Sequence, residues 1–178
     1  MTSPDNRLRA LYAYFSDLYP HFTILEEAKG RCLSATLLFA EMACRDGIDV
    51  SLVRWRVVRN LHAEQNSTYC DHWAIYLGNG RVLDPTAVQV DKNPWPWRRL
   101  SAYPKDHIAP SVISANKLLP LIREANRAEQ GSEFSEAFMR KLDAALEAER
   151  SPARRWIGIV ATTLAGAAFV YMAMSQWR

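Results

Sequence analysis

Cys32 opens an alanine- and leucine-rich stretch directly after Gly30-Arg31, which places it in the first turn of a predicted helix. There a side chain meets the positive end of the helix dipole and backbone N–H groups that lack helical partners, a setting suited to a sulfur nucleophile. Such a nucleophile needs a base and a group to orient that base. His72 lies 40 residues downstream on a predicted strand, and Asp84, 12 residues further, can hold its imidazole in the right tautomer. Cys32, His72 and Asp84 therefore form a usable triad for attack on a carbonyl carbon. Cys44 and Cys70 are expected to act as small apolar residues, although Cys70 shares a strand face with His72, leaving a Cys32-containing metal site as a minor alternative. His21, His62 and His107 stand in polar or irregular surroundings and are expected at the surface. Trp95 and Trp97 are candidates for the walls of a substrate cleft beside Asp84; the plain alternative is a lid packed over the core.

These residues need elements to position them. Leu8, Leu11, Tyr12, Phe15 and Leu18 recur at helical spacing from Pro4 until Pro20 ends the run. A second helix begins near Cys32 and stops at Gly47. Ile48 to Arg59 reads as a strand, and Asn60 to Thr68 as a loop. Cys70–Leu77 and Arg81–Asp84 flank Gly78-Asn79-Gly80, a hairpin signal. If the turn is a three-residue loop with Gly80 left-handed, Leu77 pairs with Arg81 and Ala74 lies opposite Asp84, so His72 and Asp84 become diagonal neighbours on one face. A two-residue turn would instead send His72 to the other face; the three-residue loop is the one expected. Ala87–Val90 is expected to extend the second strand, residues 91–110 to be irregular, and Ser111–Ala128 and Ser132–Glu149 to be helices.

Gly30-Arg31-Cys32 opening its helix, Asp46-Gly47-Ile48 leading into a strand, then His72-Trp73 and Leu83-Asp84-Pro85-Thr86 together resemble the transglutaminase-like superfamily of papain-like cysteine enzymes. The resemblance spans about residues 28–90. It implies an α+β fold, with a Cys-bearing helix packed on an antiparallel sheet, and gives Cys32 the role of nucleophile, His72 that of general base and Asp84 that of orienting partner. Members include proteases, transglutaminases, deamidases and acyltransferases. The sequence departs from the pattern in two places. Trp73 follows the histidine immediately, where many relatives place a tryptophan two residues on. Glu26 and Glu27 stand where papain-type enzymes keep an oxyanion-binding glutamine, so only the Cys32 N–H is assigned to that role.

The 178 residues make about one domain, and a content of 49 % hydrophobic and 23 % charged residues argues against wholesale disorder. A net charge of +3 without a basic cluster argues against a nucleic-acid partner. Three cysteines without CxxC spacing do not make a disulfide framework and fit a reducing compartment. Trp156 to Trp177 contains no charge, and as a helix of about 33 Å it would span a hydrocarbon core of about 30 Å. Arg154 and Arg155 before it and Arg178 after it place the preceding domain on the cytoplasmic side; the plain alternative is a buried terminal helix. The expected organisation is a catalytic core over 1–110, a helical extension over 111–150, a linker over 151–155 and a transmembrane tail anchor over 156–177. The expected function is acyl transfer by a cysteine enzyme (protease, deamidase or transglutaminase-like) on a protein or peptide substrate at a membrane surface. No cofactor motif is present. The competing expectation is a membrane-anchored interaction module that keeps the fold without turnover.

Overall fold

The computed structural model describes residues 4–59, 68–90, 95–128 and 134–150. The expected linker at 151–155 and membrane segment at 156–177, and most of the loop at 60–68, lie outside the described residues. No helix among the described residues is long and apolar enough to cross a membrane.

The first helix, α1 (Pro4–Leu18), buries Leu8, Leu11 and Phe15, as the spacing dictates. Pro20 stops it and starts a 3-10 turn, Pro20–Thr23, followed by the short α2 (Leu25–Ala28). Phe15 stacks on Phe22 and meets Phe39 edge-on, which ties α1 to α3 (Cys32–Arg45). Leu37 and Phe39 of α3 are fully buried, each contributing about 1.5–3 kcal/mol of hydrophobic stabilisation. The helix ends in a double bond pattern, Gly47 N–H to the Cys44 carbonyl (3.1 Å) and Ile48 N–H to the Ala43 carbonyl (2.8 Å). That geometry needs a left-handed residue, and Gly47 supplies it with φ +68°.

The sheet is antiparallel, with five strands in the order β4-β3-β2-β1-β5: β1 (Ser51–Arg59), β2 (Thr68–Tyr76), β3 (Arg81–Leu83), β4 (Trp97–Arg99) and β5 (His107–Ser114). Alternation along the strands divides the apolar residues in two. Leu52, Trp73, Ile75, Leu83 and Ile113 join the core under α1 and α3, while Val53, Trp55, Ala74, Val82 and Tyr103 form a smaller cluster on the other face. Two further helices, α4 (Ala115–Ala128) and α5 (Glu136–Arg150), bury Leu118, Ile122, Phe138, Leu142 and Leu146 in the larger core. A buried arginine, Arg54, is salt-bridged to Asp143 of α5 and lies 3.5 Å from Asp71 of β2. The protein is thus α+β, with helices packed on an antiparallel sheet.

Three expectations change. The irregular segment at 91–110 contains β4 and most of β5, and β5 continues to Ser114 before α4 begins. The strand pattern was hidden by Pro110, which sits where the β1–β5 register shifts on an edge strand, the place a sheet tolerates proline. The expected boundary at 110 accordingly falls inside β5, and α4 and α5 share the core of the preceding residues. Finally, Ala87–Gln89 is a 3-10 turn and not an extension of β3. The chain leaves the sheet because Pro85 has no N–H for the ladder and the Asp84 carboxylate accepts the Thr86 N–H, closing an Asx turn.

Candidate active site

The departure of the chain at Pro85 opens the site. Ile75 pairs with Leu83 and Tyr76 with Val82, and Leu77 N–H bonds the Arg81 carbonyl at 2.9 Å, the register of a three-residue loop. Gly78, Asn79 and Gly80 all have positive φ, where the sequence reading required it only of Gly80. In this register β3 has turned away before it could pair with His72 or Asp71. That stretch of β2 is left to the N-terminus of α3, and the Cys32 thiol donates to the Asp71 carbonyl at 3.7 Å.

The triad residues converge. His72 Nε2 lies 2.9 Å from Asp84 Oδ2, and Cys32 stands near enough to the imidazole to help raise its pKa. Nε2 is committed to the carboxylate, so Nδ1 is the nitrogen left for sulfur. All three are enclosed, with exposures of 7 % for Cys32, 5 % for His72 and 0 % for Asp84. Gly30, at φ +73°, lets the chain turn into α3, and no side-chain cap occupies the helix N-terminus. The first intrahelical bond is Ala35 N–H to the Arg31 carbonyl, so the N–H groups of Cys32 and Leu33 have no partner within the helix.

Asp84 is the most heavily bonded group of the site. Oδ1 accepts the Thr86 N–H (2.9 Å) and hydroxyl (3.2 Å), while Oδ2 accepts His72 Nε2–H and the Tyr103 hydroxyl (3.0 Å). Burial alone would raise its pKa, but the His72 charge and these donors hold it below the ordinary carboxylate value. For His72 burial alone would lower the pKa; the Asp84 charge and hydrogen bond, with a smaller contribution from Cys32, instead raise it to about 10. Burial and the Asp84 charge push the Tyr103 hydroxyl up, so it remains a donor. Asp84 thus serves two purposes, bending the chain out of the sheet and orienting His72.

An aromatic wall backs the imidazole. Trp55, directly across β1 from His72, stacks on Tyr103 with ring centres 4.1 Å apart, and His107 meets His72 edge-on at 5.4 Å. His107 was expected at the surface, but its side chain is only 7 % exposed. The hidden strand β5 carries it beneath the sheet, and its Nδ1–H donates to Asp106 at 2.8 Å. Burial pushes its pKa down, with the Asp106 hydrogen bond opposing, so beside an imidazolium it stays neutral. Tyr103, His107 and Gln89, whose amide donates to the Ala28 carbonyl before Gly30, escaped the sequence reading because their elements did. Thr86, immediately after Asp84-Pro85, was legible as an Asx-turn position.

The two tryptophans do not wall a cleft beside Asp84. Trp97 pairs with Leu83 in the sheet, its ring packed edge-on against Tyr12 of α1 and under Arg9, whereas Trp95 is 58 % exposed. Only their backbone neighbour Pro96 touches the site, its carbonyl accepting the Asp84 N–H at 2.8 Å. Cys44 sits half-buried in the last turn of α3, and Cys70 lies across β1 from Val57.

Tyr103→Phe removes one of the donors to Asp84 Oδ2 and nothing else. The expected loss is about 1–2 kcal/mol, with the Asp84 pKa moving up, because the carboxylate loses a donor that favours its charged form. NMR titration of the Asp84 carboxyl in the variant checks this; an unchanged midpoint would remove Tyr103 from the site.

The chain matches no known protein family, no characterised protein and no solved structure.

Proposed function

We propose that this protein is a cysteine-dependent acyl-transfer enzyme that acts on an amide or thioester carbonyl through Cys32, His72 and Asp84. The reading is supported above all by one observation: a fully buried carboxylate fixes one nitrogen of an imidazole that stands beside a cysteine at a helix N-terminus. Cys32 Sγ attacks the carbonyl carbon, forming a C–S bond, and the Cys32 N–H stabilises the oxyanion. The imidazolium of His72 protonates the leaving amine or thiolate as the original C–N or C–S bond breaks. His72 then takes a proton from water or an amine, which attacks the thioester, and Cys32 leaves as thiolate to re-form the ion pair. Water gives hydrolysis or deamidation; an amine gives transfer. No step calls on a cofactor. The order of motifs, the Cys-bearing helix and the antiparallel sheet are consistent with a transglutaminase-like core.

The test is intact-mass analysis of the full chain after brief exposure to an aryl thioester. One acyl group mapping to Cys32, and none there in Cys32→Ser, is expected. Equal acylation of Cys32, Cys44 and Cys70 would count against the reading.

By its sequence, the uncharged stretch 156–177 anchors the enzyme in a bilayer with the catalytic domain on the cytoplasmic side, favouring a protein or peptide substrate at the membrane surface. Extraction with alkaline carbonate should leave the chain in the membrane pellet, and release into the supernatant would refute the anchor. The near-complete enclosure of Cys32 favours a second reading, in which the same fold serves as an anchored interaction module. Under that reading Cys32→Ser keeps the phenotype.

A further inference from the structure

The sheet edge farthest from β5 carries a concentration of positive charge that the triad does not use. Arg81 of β3 and Arg99 of β4 are direct cross-strand partners, on the same sheet face as Trp97 and Leu83. Like charges directly opposite destabilise a strand pair. Arg9 of α1 projects onto this spot, its guanidinium 5.0 Å from the Trp97 ring centre. With Arg98 at the rim, four arginines border one hollow of about 230 Å³, whose remaining walls are Leu77, Val82 and Trp97. Asp5 pairs with Arg81 at 2.8 Å, and among the described residues no carboxylate lies within ion-pair distance of Arg9 or Arg99. In a chain of net charge +3 this clustering opposes the stability of the edge it sits on.

We propose that this hollow binds the phosphate group of a phosphomonoester, with the organic part of the ligand resting on Leu77 and Trp97. Guanidinium groups present planar forks of N–H donors that match phosphate oxygens two at a time, and a dianion relieves the Arg81–Arg99 repulsion more fully than a single carboxylate does. The hollow is larger than a bare phosphate ion needs, leaving room for the esterified group. A soluble ester is favoured over a lipid headgroup. The helix that precedes the proposed anchor, α5, packs on β5 at the opposite edge of the sheet, four strand spacings or about 19 Å away.

Calorimetric titration of the full chain in neutral detergent with phenyl phosphate tests the site directly, and needs no turnover. Saturable binding is expected, weakened by salt and at least about tenfold weaker in Arg9→Gln and in Arg99→Gln. The Arg99→Gln variant should melt no lower than wild type without ligand, since it removes a like-charge pair, so lost binding cannot be attributed to lost folding. Benzoate binding as tightly as phenyl phosphate, or phenyl phosphate binding unaffected by the double substitution, would overturn the proposal. Competition by phosphatidic acid in neutral vesicles, with the same arginine dependence, would keep the phosphate chemistry but overturn the soluble source. Because the readout is binding, failure here leaves the acyl-transfer reading untouched, and an inert Cys32 leaves this one untouched.

Discussion

His72→Gln slows alkylation of Cys32 by iodoacetamide at neutral pH by about 100-fold or more, while Cys44 and Cys70 react as before. The size follows from the arrangement. Cys32 is 7 % exposed and its thiol rests against the Asp71 carbonyl. Beside it stands the imidazole, whose pKa of about 10 keeps it cationic across the neutral range. A buried cation beside a buried sulfur is worth far more than the same pair in water, because little solvent screens it. Glutamine preserves a hydrogen-bonding side chain in the same space but carries no charge, so it isolates the electrostatic contribution from packing. Peptide mass spectrometry at successive times gives the rate at each cysteine separately. If Cys32 reacts at the same rate in both proteins, the imidazolium does not activate it, and the interaction-module reading takes precedence.

The parts of this arrangement legible in the sequence were those written in local pattern. The helical period from Pro4 to Leu18 appears as α1 with the same bounds, and Gly47 closes α3 as its position foretells. The glycine-rich turn placed His72 and Asp84 on one face because period-2 alternation leaves no freedom once the loop length is set. Tyr103 and His107 were not legible. Both reach the imidazole through β5 and the turn before it, whose edge position lets Pro110 and a register shift interrupt the alternation that reveals a strand. Trp97 was misplaced for a related reason: a three-residue edge strand is too short to show a period, so the ring read as loop when it packs against α1. Long-range pairing decides such short pieces, and neighbours in sequence carry little of it.

Asp84→Ala should be the most damaging single substitution, lowering stability by about 3–5 kcal/mol. Asp84 is completely buried and accepts from His72, Tyr103 and both the N–H and hydroxyl of Thr86. Alanine strands these donors away from water and removes the side chain that turns the strand at Pro85. The same pair sets how stability depends on pH. His72 titrates near 10 when folded and near 6.5 when unfolded, so its contribution is whole below about pH 6.5 and is lost as pH rises through 10. Asp84, with its pKa depressed in the fold, contributes fully above the ordinary carboxylate value and loses that contribution as pH falls below it. The pair is therefore at full strength between about pH 4 and 6.5. Between about pH 7.5 and 9.5 the folded chain holds one proton more than the unfolded chain, and denaturant melts should show about 1.4 kcal/mol lost per pH unit relative to His72→Gln. A wild-type profile parallel to that of the variant across this range would mean that His72 is neutral in the fold, and the ion pair on which the chemistry depends would have to be abandoned.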